Sequence, residues 1–318
     1  MGSVKGLVCV TGAGGYIASW LVKRLLSDGY KVHGTVRDPH DEKNRHLKKL
    51  DKAVENLKLF KADLLDCDSL LSPIAGCEGV FHTACPVPRS KLSDPETEMV
   101  VPAVTGTLNL LKICSQVKVR RVVVVSSGGA VAMNPNWPSD KEKDETCWSD
   151  KEYCKSTGNW YFYAKTLAEE EALNYGKMNE LDVVTVMPCM VIGPLLQSTL
   201  NSSSLWFINM LKGTQKTLVN KGMSLVDVRD VADALLLVYV KPEANGRYGC
   251  ASNWLKMDDL ANKLKNIYQN YKYPTSFTET TVTKGMSPKK LKALGWSCRD
   301  IDSTIADSVK CFEDAAHL

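Results

Sequence analysis

Tyr161 and Lys165 stand four residues apart in the segment Asn159-Trp160-Tyr161-Phe162-Tyr163-Ala164-Lys165. On a helix that spacing puts both side chains on one face, so a phenol and an ammonium project into a single site. A free tyrosine, with a pKa of about 10, is a slow acid or base at neutral pH, and a cation beside it lowers that value toward the working range. Tyr163 is a rival phenol, but it lies two residues from the lysine and faces away. Upstream, the run Arg121–Val125 ends in Ser126-Ser127. A hydroxyl at the carboxyl end of a central parallel strand can hold a carbonyl oxygen and stabilise negative charge as it builds there. Read alone, Ser127 also fits a turn or helix cap. Ser127, Tyr161 and Lys165 together provide a hydrogen-bond donor to oxygen, a proton donor and a cation, which is the equipment for adding hydride to a carbonyl.

A hydride needs a carrier, and the start of the chain offers a place for one. The apolar run Leu7–Val10 leads into Thr11-Gly12-Ala13-Gly14-Gly15-Tyr16-Ile17-Ala18. Gly12, Gly15 and Ala18 put small residues at the tight turn, at the pyrophosphate and where the helix meets the sheet, while free backbone N–H groups face the phosphates. A glycine triplet alone serves ordinary turns equally well. Opening a helix directly after the first buried strand makes it a dinucleotide loop. At the end of the second strand, in Thr35-Val36-Arg37-Asp38, Arg37 stands where an NAD site places a carboxylate, and Lys43 follows. A guanidinium suits a 2′-phosphate, so NADPH is favoured over NADH. Asp38 is the competing feature, since a small rotation would present its carboxylate to a ribose instead.

The elements that must position these groups are legible as short β-branched runs alternating with amphipathic segments. Leu7–Thr11, Lys31–Val36, Leu57–Ala62, Gly79–Thr83, Val119–Ser126 and Asp182–Met187 read as strands, and Tyr16–Ser27, Val101–Gln116 and Trp160–Tyr175 as helices. Near-continuous apolar strands such as Val122–Val125 imply burial on both faces, hence a doubly wound α/β fold with a parallel sheet. After Pro188 a loop rich in Gly, Pro, Ser and Asn runs to Ser204, followed by a helix carrying Trp206, Phe207, Ile208 and Met210. Leu225–Val240 reads as a strand and helix that rejoin the sheet, and the tail holds helices at Met257–Tyr268, Ser287–Leu294 and Asp302–Ala315. The division expected is a dinucleotide-binding domain over 1–188 and 223–250, with a smaller substrate-binding lobe over 189–222 and 251–318.

The 318 residues are 44% hydrophobic and 24% charged with a formal charge of +4, which argues against nucleic acid or an anionic membrane as partner. Eleven cysteines lie scattered without zinc-ligand spacing, which fits reduced thiols in the cytoplasm. The first five residues run into a strand with no apolar leader, so no secretory signal is expected. A monomer is expected, with a dimer as the alternative. Cys147 and Cys154, close in sequence to Tyr161, raise the idea of a reversible disulfide, although two free thiols are the favoured state.

Val10 through Val22, Gly34-Thr35-Val36-Arg37, Lys61-Ala62-Asp63-Leu64-Leu65, Gly79-Val80-Phe81-His82-Thr83-Ala84, Asp144 through Ser149 and Asn159-Trp160-Tyr161 give a pattern that resembles the extended short-chain dehydrogenase/reductases over nearly the whole chain. Within that superfamily it is most similar to plant cinnamoyl-CoA reductases, dihydroflavonol reductases and the short-chain cinnamyl alcohol dehydrogenases. The resemblance implies a Rossmann fold and hydride transfer from NADPH, with Tyr161 giving the proton, Lys165 binding the nicotinamide ribose and Ser127 positioning the substrate. It further implies that Asp63 and Leu64 meet the adenine, and Thr83, Ala84 and Cys85 the ribose and diphosphate. Pro188, Cys189, Met190 and Val191 would lie at the nicotinamide, with Ser203 a weaker contact. His82 is read as a structural histidine near the cofactor.

The pattern also departs from the family's. Gly158, Phe162 and Ala164 replace a lysine, a cysteine and a glycine that cinnamoyl-CoA reductases usually carry around the tyrosine. Where those enzymes place a histidine and a lysine toward the CoA phosphates, this chain has Trp206 and Asn209. An indole and an amide supply no cation for an anionic tail. The expected substrate is therefore a cinnamaldehyde-type aromatic aldehyde reduced to its alcohol, with Trp206 against the substrate or in the helix core. The alternatives are a cinnamoyl-CoA thioester, with Lys212 and Lys216 as a different phosphate site, and a dihydroflavonol-like ketone. A non-catalytic NADPH-binding interaction protein is the reading from another class.

Overall fold

A computed structural model describes residues 5–85 and 93–318. Its centre is a seven-stranded sheet built from β1 (Leu7–Thr11), β2 (Lys31–Val36), β3 (Leu57–Lys61), β4 (Gly79–His82), β5 (Arg121–Val125), β6 (Val183–Pro188) and, later in the chain, Gly246–Cys250. Every neighbouring pair is parallel, and the order is Gly246–Cys250, β6, β5, β4, β1, β2, β3. The order reverses between β1 and β4, which opens a crevice at the carboxyl ends of those strands.

Helices of eight residues or more are α1 (Tyr16–Ser27), α2 (Cys67–Ile74), α3 (Val101–Gln116), α4 (Trp160–Met178), α5 (Ser202–Leu211), α6 (Val228–Val240), α7 (Met257–Ile267) and α8 (Ile301–Asp314). None is long and apolar enough to cross a membrane. Alternate residues of each central strand feed different cores. Val8, Val10, Val123 and Val125 pack with Leu21 and Leu25 of α1 and Val231 and Leu235 of α6. Cys9, Val80, Val122 and Val124 pack with Leu70 of α2, Leu110 and Leu111 of α3 and Ala172 of α4. This two-sided burial is why the strands lack polar alternation.

A third core, with Phe207, Leu211, Leu260, Leu264, Ile305 and Phe312, joins α5, α7 and α8. Beside it lies a three-stranded sheet. Its middle strand β9 (Gly222–Asp227) runs parallel to β7 (Met190–Ile192) and antiparallel to β11 (Asn253–Lys256). A two-stranded parallel pair is formed by β8 (Thr217–Val219) and β12 (Ser276–Thr278). The seventh strand of the large sheet, Gly246–Cys250, is accordingly β10.

This corrects one expectation. The strand in Leu225–Val240 does not rejoin the large sheet; β9 lies in the small one, and β10 takes the edge beside β6. A six-residue strand whose buried part is only Leu225-Val226-Asp227 fits either partner, so its own sequence does not choose. The helix that follows, α6, does return, packing on β5, β6 and α1.

Candidate active site

Four turns meet at the carboxyl edge of the sheet. Gly12, after β1, has φ of +62°, and a Cβ there would lie 3.0 Å from the Cβ of Ala84 after β4. Only glycine combines that backbone with that approach. The Thr11 hydroxyl joins the same two turns, accepting from the amides of Thr83 and Ala84 at 3.1 Å each. After β5, the Gly128 amide donates to the carbonyl of Pro188, the last residue of β6, at 2.7 Å. A Cβ on Gly128 would lie 3.2 Å from the Cys189 sulfur.

The glycine loop ends in a helix whose first turn is left bare. Asp66, Asp227 and Asp300 cap α2, α6 and α8 through their carboxylates. At α1 the capping position is Gly15, which has no side chain to offer, and the first turn holds no acid. Gly15 and Ser19 find carbonyl partners, but the amides of Tyr16, Ile17 and Ala18 have no acceptor among the described residues. Three free N–H groups at a helix's positive end, beside a loop whose only side chain is the buried Ala13 methyl, fit a pyrophosphate. Ala13 is fully buried, its amide on the Thr35 carbonyl at 2.9 Å. The Tyr16 hydroxyl is committed elsewhere, to the Gly193 carbonyl at 2.8 Å, so only its backbone serves this site.

At the end of β2, Arg37 is exposed and makes no ion pair among the described residues. One oxygen of the exposed Asp38 carboxylate accepts from the His40 amide at 2.8 Å, which ties it to its own turn. Lys43 reaches the Asp41 carboxylate at 2.6 Å, and that cation holds the Asp41 pKa below the usual carboxylate range. Sequence reasoning missed Asn44, which is buried between the loops. Its Nδ2 donates to the Asp38 carbonyl at 2.8 Å, and its Oδ1 lies 2.1 Å from where a Cβ on Gly14 would stand. The residues present therefore fit a dinucleotide with a 2′-phosphate. Farther along, Asp63 turns its carboxylate to the Leu65 amide at 2.9 Å. The Leu64 carbonyl is held by Asn109 at 3.0 Å.

Tyr161, Lys165 and Ser127 approach this edge from α4 and the end of β5. Lys165 is buried and donates to the Val125 carbonyl at 2.9 Å. Burial works against its charge, but Cys85, Tyr161 and Glu169 together outweigh it and raise its pKa. Tyr161 is half-buried, set edge-on to Phe162 at 5.9 Å, and its hydroxyl has no hydrogen-bond partner among the described residues. Ser127 does cap a turn, accepting from the Gly129 amide at 3.0 Å, and keeps its own proton to donate. Tyr163 turns away, as its spacing requires, with the Lys155 ammonium 4.7 Å from its ring centre. His82 bridges Thr11 at 3.0 Å and Thr107 at 3.1 Å through its two ring nitrogens.

The remaining predicted residues divide. Cys85 comes close enough to Lys165 to act on its charge, and Pro188, Cys189, Met190 and Val191 follow β6 beside Gly128. Ser203 accepts from Asn201 at 2.8 Å, at the start of α5. Trp206 stacks on Phe207 at 6.4 Å and lines a cavity of about 340 Å³ with Asn201, Asn209, Thr214 and Gln215. Neither Ser127, Tyr161 nor Lys165 lines that cavity. Cys147 and Cys154 are both free and buried in different apolar clusters.

A doubly wound parallel sheet with a bare glycine loop, and with serine, tyrosine and lysine at the same edge, defines a short-chain dehydrogenase/reductase. The chain belongs to the extended branch of that superfamily, among the plant cinnamoyl-CoA and dihydroflavonol reductase-like proteins, and residues 8–251 match the model of the NAD dependent epimerase/dehydratase family. It is 47% identical over 323 residues to cinnamoyl-CoA reductase 1 of Petunia hybrida, covering 100% of this chain and 96% of that one. Vestitone reductase of alfalfa (Medicago sativa) superimposes with a TM-score of 0.84 at 30% identity, covering 99% of this chain and 100% of the other. The yeast methylglyoxal/isovaleraldehyde reductase in complex with NADPH gives a TM-score of 0.84 at 25% identity, covering 98% and 100%.

Proposed function

We propose that this oxidoreductase uses NADP(H) to reduce cinnamoyl-type CoA thioesters to their aldehydes. The observation that carries the reading is the meeting of Ser127, Tyr161 and Lys165 at the sheet edge of a chain 47% identical to a cinnamoyl-CoA reductase. NADP(H) is supported by exposed Arg37 at the end of β2 and by the NADPH complex of a structural neighbour.

When bound, the reduced nicotinamide supplies hydride to the carbonyl carbon. Tyr161 gives its phenolic proton to the carbonyl oxygen as charge builds there, and Ser127 donates a hydrogen bond to the same oxygen. Lys165, held in place by the Val125 carbonyl, stabilises the phenolate that remains. With a thioester the product of this step is a hemithioacetal, whose hydroxyl proton returns to the Tyr161 phenolate as the carbon–sulfur bond breaks, and the departing thiolate takes up a proton from solvent, giving aldehyde and thiol. Lys212 and Lys216, exposed beside the cavity residues Thr214 and Gln215, offer cations for an anionic tail.

Reduction of a free cinnamaldehyde to its alcohol, the activity expected from sequence, is the second reading. It rests on Trp206 and Asn209, which bring an indole and an amide to the cavity wall where the family's cations would stand. The test follows NADPH consumption with feruloyl-CoA and coniferaldehyde in parallel, for the wild type and Tyr161→Phe. The thioester should turn over at least as efficiently as the aldehyde, and the variant should lose about 10²–10⁴ in kcat while binding NADPH normally. Turnover of the aldehyde alone would hand the assignment to the second reading. Turnover untouched by Tyr161→Phe would refute both.

A further inference from the structure

Four residues beyond Lys165, the same face of α4 carries a carboxylate. Glu169 has no exposed side-chain surface, and its partner Arg247 on β10 has 6%. Glu169 Oε1 accepts from Thr185 Oγ1 of β6 at 2.6 Å and from Arg247 Nε at 2.9 Å. Its Oε2 accepts from Ser126 Oγ at 2.7 Å and from Arg247 Nη2 at 3.2 Å. Both oxygens are thus filled by two donors each, and the group ties α4 to β5, β6 and β10.

Arg247 extends the clamp to the segment behind Ser127. Its Nη1 donates to the carbonyls of Glu145 at 2.9 Å and Cys147 at 2.7 Å, and its guanidinium lies 3.4 Å from the Trp148 ring centre. Glu145 returns a carboxylate to the Gly249 amide at 3.0 Å. Two residues beyond Cys147, Ser149 donates to the Gly129 carbonyl at 2.7 Å, and its amide binds the Ala130 carbonyl at 2.8 Å. Ser127 is therefore held from both sides, through Ser126 by Glu169 and through Gly129 by the segment that Arg247 pins.

A buried ion pair gains little stability over apolar residues of the same size. What a fully satisfied one does well is fix a unique geometry. We propose that Glu169, clamped by Arg247, is a positioning residue for carbonyl reduction, setting Ser127, just past the end of β5, in register with Lys165 and Tyr161 on its own helix. This rests on the carbonyl-reductase reading above.

The discriminating variant is Ser126→Ala, which cuts the Glu169 link to β5 and leaves the ion pair intact. Because small displacements of a positioned donor are costly, its kcat should fall about 5- to 20-fold and that of Glu169→Gln about 100-fold. KM for the carbonyl substrate, and the NADPH Kd read by quenching of protein fluorescence, should stay within about twofold. Val184→Ala, a cavity variant in the sheet, controls for lost stability and should keep kcat within about twofold at a temperature where all variants are folded. Ser126→Ala decides alone if Glu169→Gln does not fold. A folded Ser126→Ala with wild-type kcat, or a loss that Val184→Ala reproduces, overturns the positioning role. Turnover indifferent to Tyr161→Phe would instead overturn the carbonyl-reductase reading, so the two failures are distinguishable.

Discussion

Around His82 the hydrogen bonds determine a tautomer. Thr107 spends its hydroxyl proton on the Ala103 carbonyl at 2.8 Å, so His82 Nε2 must donate to Thr107. Thr11 takes two amide donors from Thr83 and Ala84, so its own proton goes to His82 Nδ1. A second proton on the ring would meet a hydroxyl with no lone pair left for it. Burial first, and then the Lys165 charge, push the His82 pKa down to about 3 from the usual 6.5. The unfolded chain therefore takes up a proton as pH falls below about 6.5 while the folded chain does not until about 3. Stability present above 6.5 is lost through that window at up to ~1.4 kcal/mol per pH unit. His82→Gln should flatten the dependence of urea midpoints between pH 6.5 and 4, and an unchanged slope would assign the loss to other groups. The family resemblance placed His82 as a structural histidine, which its two hydrogen bonds fit, while residue type and spacing proposed Ser127, Tyr161 and Lys165 as the centre. Glu169 continues the same four-residue spacing and could have been found that way. Asn44 could not, since only the folded chain brings it against Gly14.

Among the elements, those bounded by local chemistry were read to the residue. β1, β2, α1 and α3 begin and end where expected, since glycine turns, β-branched runs and helical periodicity mark their limits. Three-residue strands such as β7, β8 and β12 carry too few residues to show a period, and the placement of β9 depends on partners distant in sequence. The pairing of β2 with β1 puts Arg37 just beyond the strand end, beside the bare first turn of α1. Charge-assisted hydrogen bonds to a 2′-phosphate contribute about 1.5–3 kcal/mol, so Arg37→Ala should weaken NADPH binding about 10- to 100-fold. NADH affinity, titrated by the same fluorescence quenching, should hardly change. Equal losses for both dinucleotides would mean that Arg37 supports the loop without reading the phosphate.

For the molecule as a whole, the reaction edge is served by two cores flanking the large sheet, while the cavity beside Trp206 belongs to a third. That cavity was the least legible part of the sequence for this reason. Its walls come from α5, the 214–218 segment and Pro274, which no motif links. Phe312 of α8 is almost fully buried in the third core, its ring tilted against that of Phe207 at 6.3 Å. Phe312→Ala should lower unfolding free energy by about 3–5 kcal/mol, read from denaturant midpoints, and loss of under about 1 kcal/mol would show α8 to be peripheral. The cysteines give this architecture a further property. Six of them, Cys9, Cys77, Cys114, Cys147, Cys154 and Cys250, are buried thiols, and burial raises the pKa of each. They are distributed over four separate apolar clusters, with three in the one beneath α2 and α3. An alkylating reagent meets neither surface nor thiolate there until the surrounding packing opens. The chain thus carries its own clock for local unfolding, and the order in which these sulfurs become reactive is the order in which its layers come apart.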